Sequence, residues 1–136
     1  MITVLFACVH NAGRSQMAAA FFNALADPRR ARALSAGTDP AAAVHPEVVA
    51  VMRESGVDLE QARPQRLTVG LAGRGNMLIT MGCGETCPVV PGLERVDWNV
   101  ADPKGQPLSQ VRTIRDEIRA RVQILVATRG WQRGGA

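Results

Sequence analysis

Residues 8–15 read CVHNAGRS and follow the apolar run ITVLFA at 2–7. A thiol and a guanidinium stand six positions apart around a short turn containing glycine. A turn that leads from a strand into a helix aims successive backbone N–H groups at one point near the helix N-terminus, which makes a nest for a tetrahedral oxyanion. The amides of Val9, His10, Asn11, Ala12, Gly13, Arg14 and Ser15 are the expected donors. Gly13 relieves the tight backbone, and Arg14 adds a permanently charged fork suited to oxyanion oxygens. Cys8 at the rim shares that positive field, which favours the nucleophilic thiolate, and Ser15 can donate a hydrogen bond to it. Such a loop binds an oxyanion and directs a nucleophile at its central atom.

The elements that must hold this loop alternate along the chain. ITVLFA predicts a buried strand, and SQMAAAFFNALA (15–26) predicts a helix with 17, 21, 22 and 25 on one face. ARALSAG (31–37) predicts a second strand. HPEVVAVMRESG (45–56) predicts a helix, entered through Pro46 and stopped at Gly56. Residues 57–76 are mixed, with RPQRLT a short connector. NMLITM (76–81) and LERVDWNV (93–100) predict two more strands, and ADPKGQP (101–107) is turn chemistry. The last helix is LSQVRTIRDEIRARVQILVAT (108–128), with Ser109 as N-cap and the pairs Arg112/Asp116 and Arg115/Arg119 on its polar side. The order implies an α/β fold: one small four-stranded parallel sheet with helices on both faces, a single domain over 1–130 and a loose tail over 131–136.

Ligands of such sheets sit at the carboxyl ends of the strands. The turn at 8–14, the loop at 82–92 (GCGETCPVVPG) and the turn at 101–107 therefore meet at one edge, and they contain every cysteine of the chain, Cys8, Cys83 and Cys87, together with Asp102. Three cysteines behind no basic, apolar leader argue against a static disulfide framework. Cys83 and Cys87, with three residues between them, leave a closable disulfide, a pair of core thiols or a metal clip open. A clip needs His10 or His45 as further ligands and matches no common zinc spacing, so no metal is expected. Trp98 is expected to pack in the core or at its rim, and His10 to shape the loop.

The net charge is +4, and every basic residue except Lys104 is arginine, but the arginines are scattered and carry no interleaved aromatics. That disfavours nucleic acid and suits a small anion. No apolar stretch is long enough for a membrane span, and a monomer in the cytoplasm is expected.

CVHNAGRSQMA resembles the phosphate-binding loop of the low-molecular-weight protein tyrosine phosphatases, and more closely that of the arsenate reductases sharing their fold. The likeness continues in family order through SAGT (35–38), HPEVVAVMRESGVDL (45–59), LITMGCGETCP (78–88), DWNVADPKG (97–105) and VRTIRDEI (111–118). It implies a phosphatase-like fold with Cys8 as nucleophile, Arg14 and the amides of 9–14 as the oxyanion cradle, and Ser15 beside the thiolate. Asp102 matches the Asp-Pro general acid.

Phosphate and arsenate share shape and charge, so the other two cysteines decide the chemistry. The phosphatases often carry a second cysteine inside the loop, where this chain has Asn11-Ala12-Gly13, and a tyrosine pair, where this chain has no tyrosine. The resemblance thus implies arsenate reduction for arsenic detoxification, by a Cys8/Cys83/Cys87 thiol–disulfide relay with arsenate as substrate and phosphate or sulfate as competitors. No bound cofactor is implied, only an external reductant: thioredoxin, or mycothiol with mycoredoxin. The thioredoxin-linked relatives place one loop cysteine where Gly82 stands here, which leaves the donor open. A mycothiol-dependent transferase using Cys8 alone, a phosphatase of phosphate monoesters, and a non-enzymatic oxyanion or redox sensor are the alternatives. Potassium-binding relatives carry an acid where Ala18-Ala19-Ala20 stand, so no cation dependence is expected.

Overall fold

A computed structural model describes residues 1–82 and 91–134. Four strands, β1 (Ile2–Cys8), β2 (Ala31–Gly37), β3 (Met77–Thr80) and β4 (Glu94–Asp97), form one sheet in the order β2-β1-β3-β4. All three pairings are parallel. Among the described residues the helices are α1 (Arg14–Leu25), α2 (Pro46–Glu54), α3 (Val69–Ala72) and α4 (Leu108–Arg129).

Central β1 is apolar without alternation because both of its faces are covered. Its period of two divides the core. Val4, Phe6 and Cys8 join the larger cluster with Met17, Phe22, Val48, Met52, Ile118 and Val122 from α1, α2 and α4. Leu5 and Ala7 join a smaller one with Leu67, Ala72 and Leu78 on the α3 side. Helices therefore cover both faces, unequally. Cys8 inherits its side of the sheet from this parity.

Several local expectations are corrected. Ser109 does not cap α4: Pro107 occupies the capping position with φ −59°, and the Ser109 carbonyl accepts a bond from Thr113 Oγ1 inside the helix. Arg115 does not lie on a solvated face with Arg119. It is 9% exposed and donates to the Val51 carbonyl, Glu54 and Asp116. Arg112 forks onto Glu54 instead of Asp116, so the charges of α4 clamp α2. The one-turn helix α3 lies in the stretch read as mixed, and Thr68 Oγ1 caps it by accepting from Leu71 N. The tail is docked at its start: Trp131 packs edge-on against Phe22, and Gln132 bridges Ala26. β4 stops at Asp97, four residues after the expected start, and Trp98 turns onto Phe6 with ring centroids 5.7 Å apart.

Because all strands run one way, β1, β2, β3 and β4 end at Cys8, Gly37, Thr80 and Asp97 on a common edge. The segments 9–13, 38–45 and 98–107 gather there.

Candidate active site

The backbone of the 8–13 turn is arranged by where its carbonyls go. Cys8 O accepts from Thr38 N, Val9 O from Asp39 N, His10 O from Ala41 N and Ala12 O from His45 N. Asn11 O accepts from Gln16 Nε2 at 3.0 Å, and Gly13 O from Met17 N at 3.0 Å. Every carbonyl from Cys8 to Gly13 is thus engaged by surrounding protein. Among the described residues no peptide bond is cis, so each following N–H, from Val9 to Arg14, points opposite to an anchored carbonyl. Among the described residues, the amides of 9–13 have no protein acceptor. The result is a ring of donors at the N-terminus of α1, whose first turn contains no acid. The amides of Val9, His10, Asn11, Ala12, Gly13 and Arg14 lie together in this turn.

Tight curvature needs close backbone approach at two glycines. A Cβ on Gly37 would stand 2.5 Å from Val9 O and 2.9 Å from Asn11 N, so the end of β2 presses directly on the turn. A Cβ on Gly13 would stand 2.9 Å from Pro103 Cγ, which is how the 101–107 turn reaches the site.

Cys8 is 3% exposed, and its Sγ lies 2.9 Å from Ser15 Oγ. The direction of that hydrogen bond follows from its neighbours. The Gln65 backbone N–H donates to Asn11 Oδ1 at 2.9 Å, and a backbone N–H can only donate. Asn11 therefore presents Nδ2 to Ser15 Oγ, at 2.7 Å. With that oxygen accepting from Asn11, the hydroxyl proton is free to point at Cys8 Sγ. The chain of donors from Gln65 through Asn11 and Ser15 thus ends on the Cys8 sulfur.

Asn11, expected in the turn for its backbone amide, also contributes its side chain, a contact the sequence does not announce. It is fully buried and sits at φ 50°, a left-handed conformation that asparagine tolerates better than most residues. Its amide partners come from Gln65 and Gln16.

Arg14 opens α1, and its guanidinium reaches the 98–107 segment. Nη1 donates to Val100 O at 3.0 Å, and Nη2 is 3.8 Å from Asp102 Oδ2. Asp102 is half exposed, and its Oδ1 accepts from Lys104 N at 3.0 Å, an Asx turn that fixes the carboxylate. The structure thus unites Cys8, Arg14, Ser15 and Asp102. Gly82 supports this placement: at φ 87° it brings the chain so near Arg14 that a Cβ would lie 2.5 Å from Nη1. His10 Nδ1 meets the Asp39 carbonyl at 3.0 Å, so it carries the proton on Nδ1 and ties the turn to the 38–45 segment. Cys83 and Cys87 lie outside the described residues. Among the described residues no cluster of His, Cys, Asp or Glu could hold a metal ion, and no helix is long and apolar enough to cross a membrane.

The family described as low molecular weight phosphotyrosine protein phosphatase matches residues 3–132. A Synechocystis protein named glutaredoxin arsenate reductase is 33% identical over 130 residues, covering 93% of this chain and 98% of its own. A solved arsenate reductase in the oxidized state superposes with a TM-score of 0.82 at 32% identity, covering 94% of this chain and 98% of that one. The thioredoxin-dependent arsenate reductase of Corynebacterium glutamicum superposes with a TM-score of 0.78 at 36% identity over 94% of this chain. The present chain spans 61% of the Corynebacterium chain's length.

Proposed function

Because the chain belongs to the low molecular weight phosphotyrosine protein phosphatase family, we propose that it turns that family's oxyanion loop to arsenate reduction. The observation that carries the reading is the amide ring with a buried Cys8 at its rim, hydrogen-bonded to Ser15, and Arg14 at the start of α1 reaching Val100 and Asp102. The likeness to arsenate reductases at 32–36% identity over nearly the whole chain supports arsenate as the oxyanion.

In this reading the Cys8 thiolate attacks arsenic, and one arsenate oxygen leaves as water after protonation by Asp102. Arg14 and the amides of 9–14 balance the charge on the remaining oxygens. Cys83 thiolate then attacks Cys8 sulfur. The sulfur–arsenic bond breaks with its electron pair on arsenic, giving arsenite and a Cys8–Cys83 disulfide. Cys87 attacks Cys83, which frees Cys8 and leaves a Cys83–Cys87 disulfide. Two thiols are oxidised and arsenic gains two electrons. A dithiol reductant resets the pair, in steps favoured by thiols whose pKa is near ambient pH. The thioredoxin-dependent Corynebacterium relative supports thioredoxin as the donor, with mycothiol and mycoredoxin the other source of electrons.

Arsenite release, measured separately with the thioredoxin system and with mycothiol plus mycoredoxin, tests this in wild type and in C8S, C83S and C87S. Wild type releases arsenite with thioredoxin, C8S releases none, and C87S accumulates the Cys8–Cys83 disulfide. A C83S/C87S double variant that still turns over with thioredoxin alone overturns the relay. Turnover with mycothiol only assigns the reaction to Cys8 alone. Hydrolysis of para-nitrophenyl phosphate with no arsenite from any donor makes the protein a phosphatase of small esters.

A further inference from the structure

Gln16, the residue after Ser15, is 6% exposed, and its side chain does not face solvent. Its Nε2 stands within hydrogen-bond distance of Asn11 O at 3.0 Å, Asn11 Oδ1 at 3.2 Å and Arg63 O at 3.3 Å. Three oxygens thus converge on one amide nitrogen that has two protons. Two of them belong to Asn11, and the third belongs to the connector whose Gln65 N–H fixes the Asn11 amide from the other side.

Of the six carbonyls whose engagement turns the amide ring inward, Asn11 O alone is held by a side chain. The others are held by backbone N–H groups, which cannot be lost without moving a segment. Asn11 also sits in the left-handed region at φ 50°, next to the peptide that links it to Ala12. Rotating that one peptide plane would put a carbonyl, instead of the Ala12 N–H, in the path of the anion.

We propose that Gln16 is a positioning residue for the oxyanion site: its amide locks the Asn11–Ala12 peptide with N–H inward and holds the Asn11 side chain that orders Ser15 and Cys8. The inference rests on reading the loop as an oxyanion cradle but not on arsenate reduction. Its readouts are anion binding and thiol reactivity.

The test replaces Gln16 with methionine, which keeps length and volume and removes both protons. Inorganic phosphate is the probe, titrated by calorimetry. Alkylation of Cys8 by iodoacetamide is followed against pH by mass spectrometry of the Cys8 peptide. Asn23→Ala is the control. It also removes an amide from α1, one bonded to both the N–H and the carbonyl of Ala33, far from the loop. The expected result is that Q16M weakens phosphate binding about tenfold, as loss of one hydrogen bond to a charged group does. Alkylation of Cys8 at neutral pH also slows. N23A lowers the melting temperature while keeping both wild-type values. Wild-type phosphate affinity and an unmoved alkylation profile in Q16M overturn the proposal.

If Q16M does not fold, the wild-type protein decides through its Gln16 side-chain amide protons, read by nuclear magnetic resonance with 15N-labelled glutamine. Slow exchange and a shift on adding phosphate support the lock, and fast, phosphate-insensitive exchange overturns it. Reductase failure appears instead as absent arsenite release by a wild type that binds phosphate normally, so the two readings fail separately.

Discussion

Ser15 Oγ lies 2.9 Å from Cys8 Sγ, and both side chains are buried. Since Asn11 Nδ2 donates to the same oxygen, the serine proton is directed at sulfur. Replacing Ser15 with alanine removes a donor to a charged acceptor, worth about 1.5–3 kcal/mol. At roughly 1.4 kcal/mol per decade that is a loss of about ten- to a hundredfold in kcat/KM. The rate of iodoacetamide alkylation of Cys8 at neutral pH checks it independently of turnover. An S15A variant that alkylates at the wild-type rate would show that Ser15 only fills space.

Gly82 and Arg14 are in direct apposition, and no side chain fits between them. Gly82→Ala combines a left-handed φ of 87° with a Cβ 2.5 Å from Arg14 Nη1. A guanidinium at the end of a flexible side chain moves more easily than backbone. The substitution therefore displaces Arg14 from Val100 O and from the anion, with moderate loss of stability. Phosphate affinity is expected to fall about tenfold or more, while the melting temperature falls by only a few degrees. A calorimetric titration beside a thermal scan separates the two effects.

Glu54 receives Arg112 in a fork and Arg115 through a single bond. Hydrogen bonds from Arg112 and then Arg115 hold its pKa below the ordinary value of 4.5. A carboxylate with a lowered folded pKa stabilises the fold fully above its unfolded pKa. That stabilisation is lost as pH falls through the folded value, so the α2–α4 clamp contributes at neutral pH and fades below about pH 4.5. Glu54→Gln should unfold at lower urea concentration than wild type at pH 7, with the gap closing toward pH 3. A gap constant across that range would remove the clamp as its cause.

How far these features could be read from sequence depends on the distance over which they are determined. The turn at 8–15 is local: strand end, glycine, arginine and helix start are consecutive, so the cradle and its order along the chain were legible. So was the gathering of Asp102 with Cys8, because parallel strands send alternate loops to one edge. The Asn11 network was not. Gln65, which bonds Asn11, is 54 residues away, and Arg63, which bonds Gln16, is 47 away, both in a connector with no periodicity, and nothing in an Asn-Ala-Gly turn announces which carbonyl needs a side-chain donor. Arg115 was misread for a similar reason. Its helical spacing to Arg119 suits a solvated face, but α2 packs over that face and supplies Val51 O and Glu54 as partners. The position of α3 escaped because four residues are too few to show a period.

Gly37 bears on the cradle from outside it. Its N–H donates to Gln65 O, its carbonyl accepts from Leu67 N, and a Cβ there would meet Val9 O at 2.5 Å and Asn11 N at 2.9 Å. Those obstacles are backbone and cannot swing aside, so either β2 retreats from β1 or the turn deforms. Overpacking of this kind costs about 1–3 kcal/mol, which corresponds to a drop in melting temperature of roughly 3–12 °C for a domain of this size. The damage falls on the amide ring itself. Gly37→Ala should therefore lose most of the thermal stabilisation that millimolar phosphate gives wild type, beyond what its lower melting temperature explains. Gly70→Ala is the comparison: only Thr68 Oγ1, at 3.9 Å, lies near its would-be Cβ, and alanine favours the short helix there. It should melt at or above the wild-type temperature and keep the full phosphate shift. A Gly37→Ala protein that keeps the full shift would mean the turn is shaped by its own residues and not by the pressure of β2.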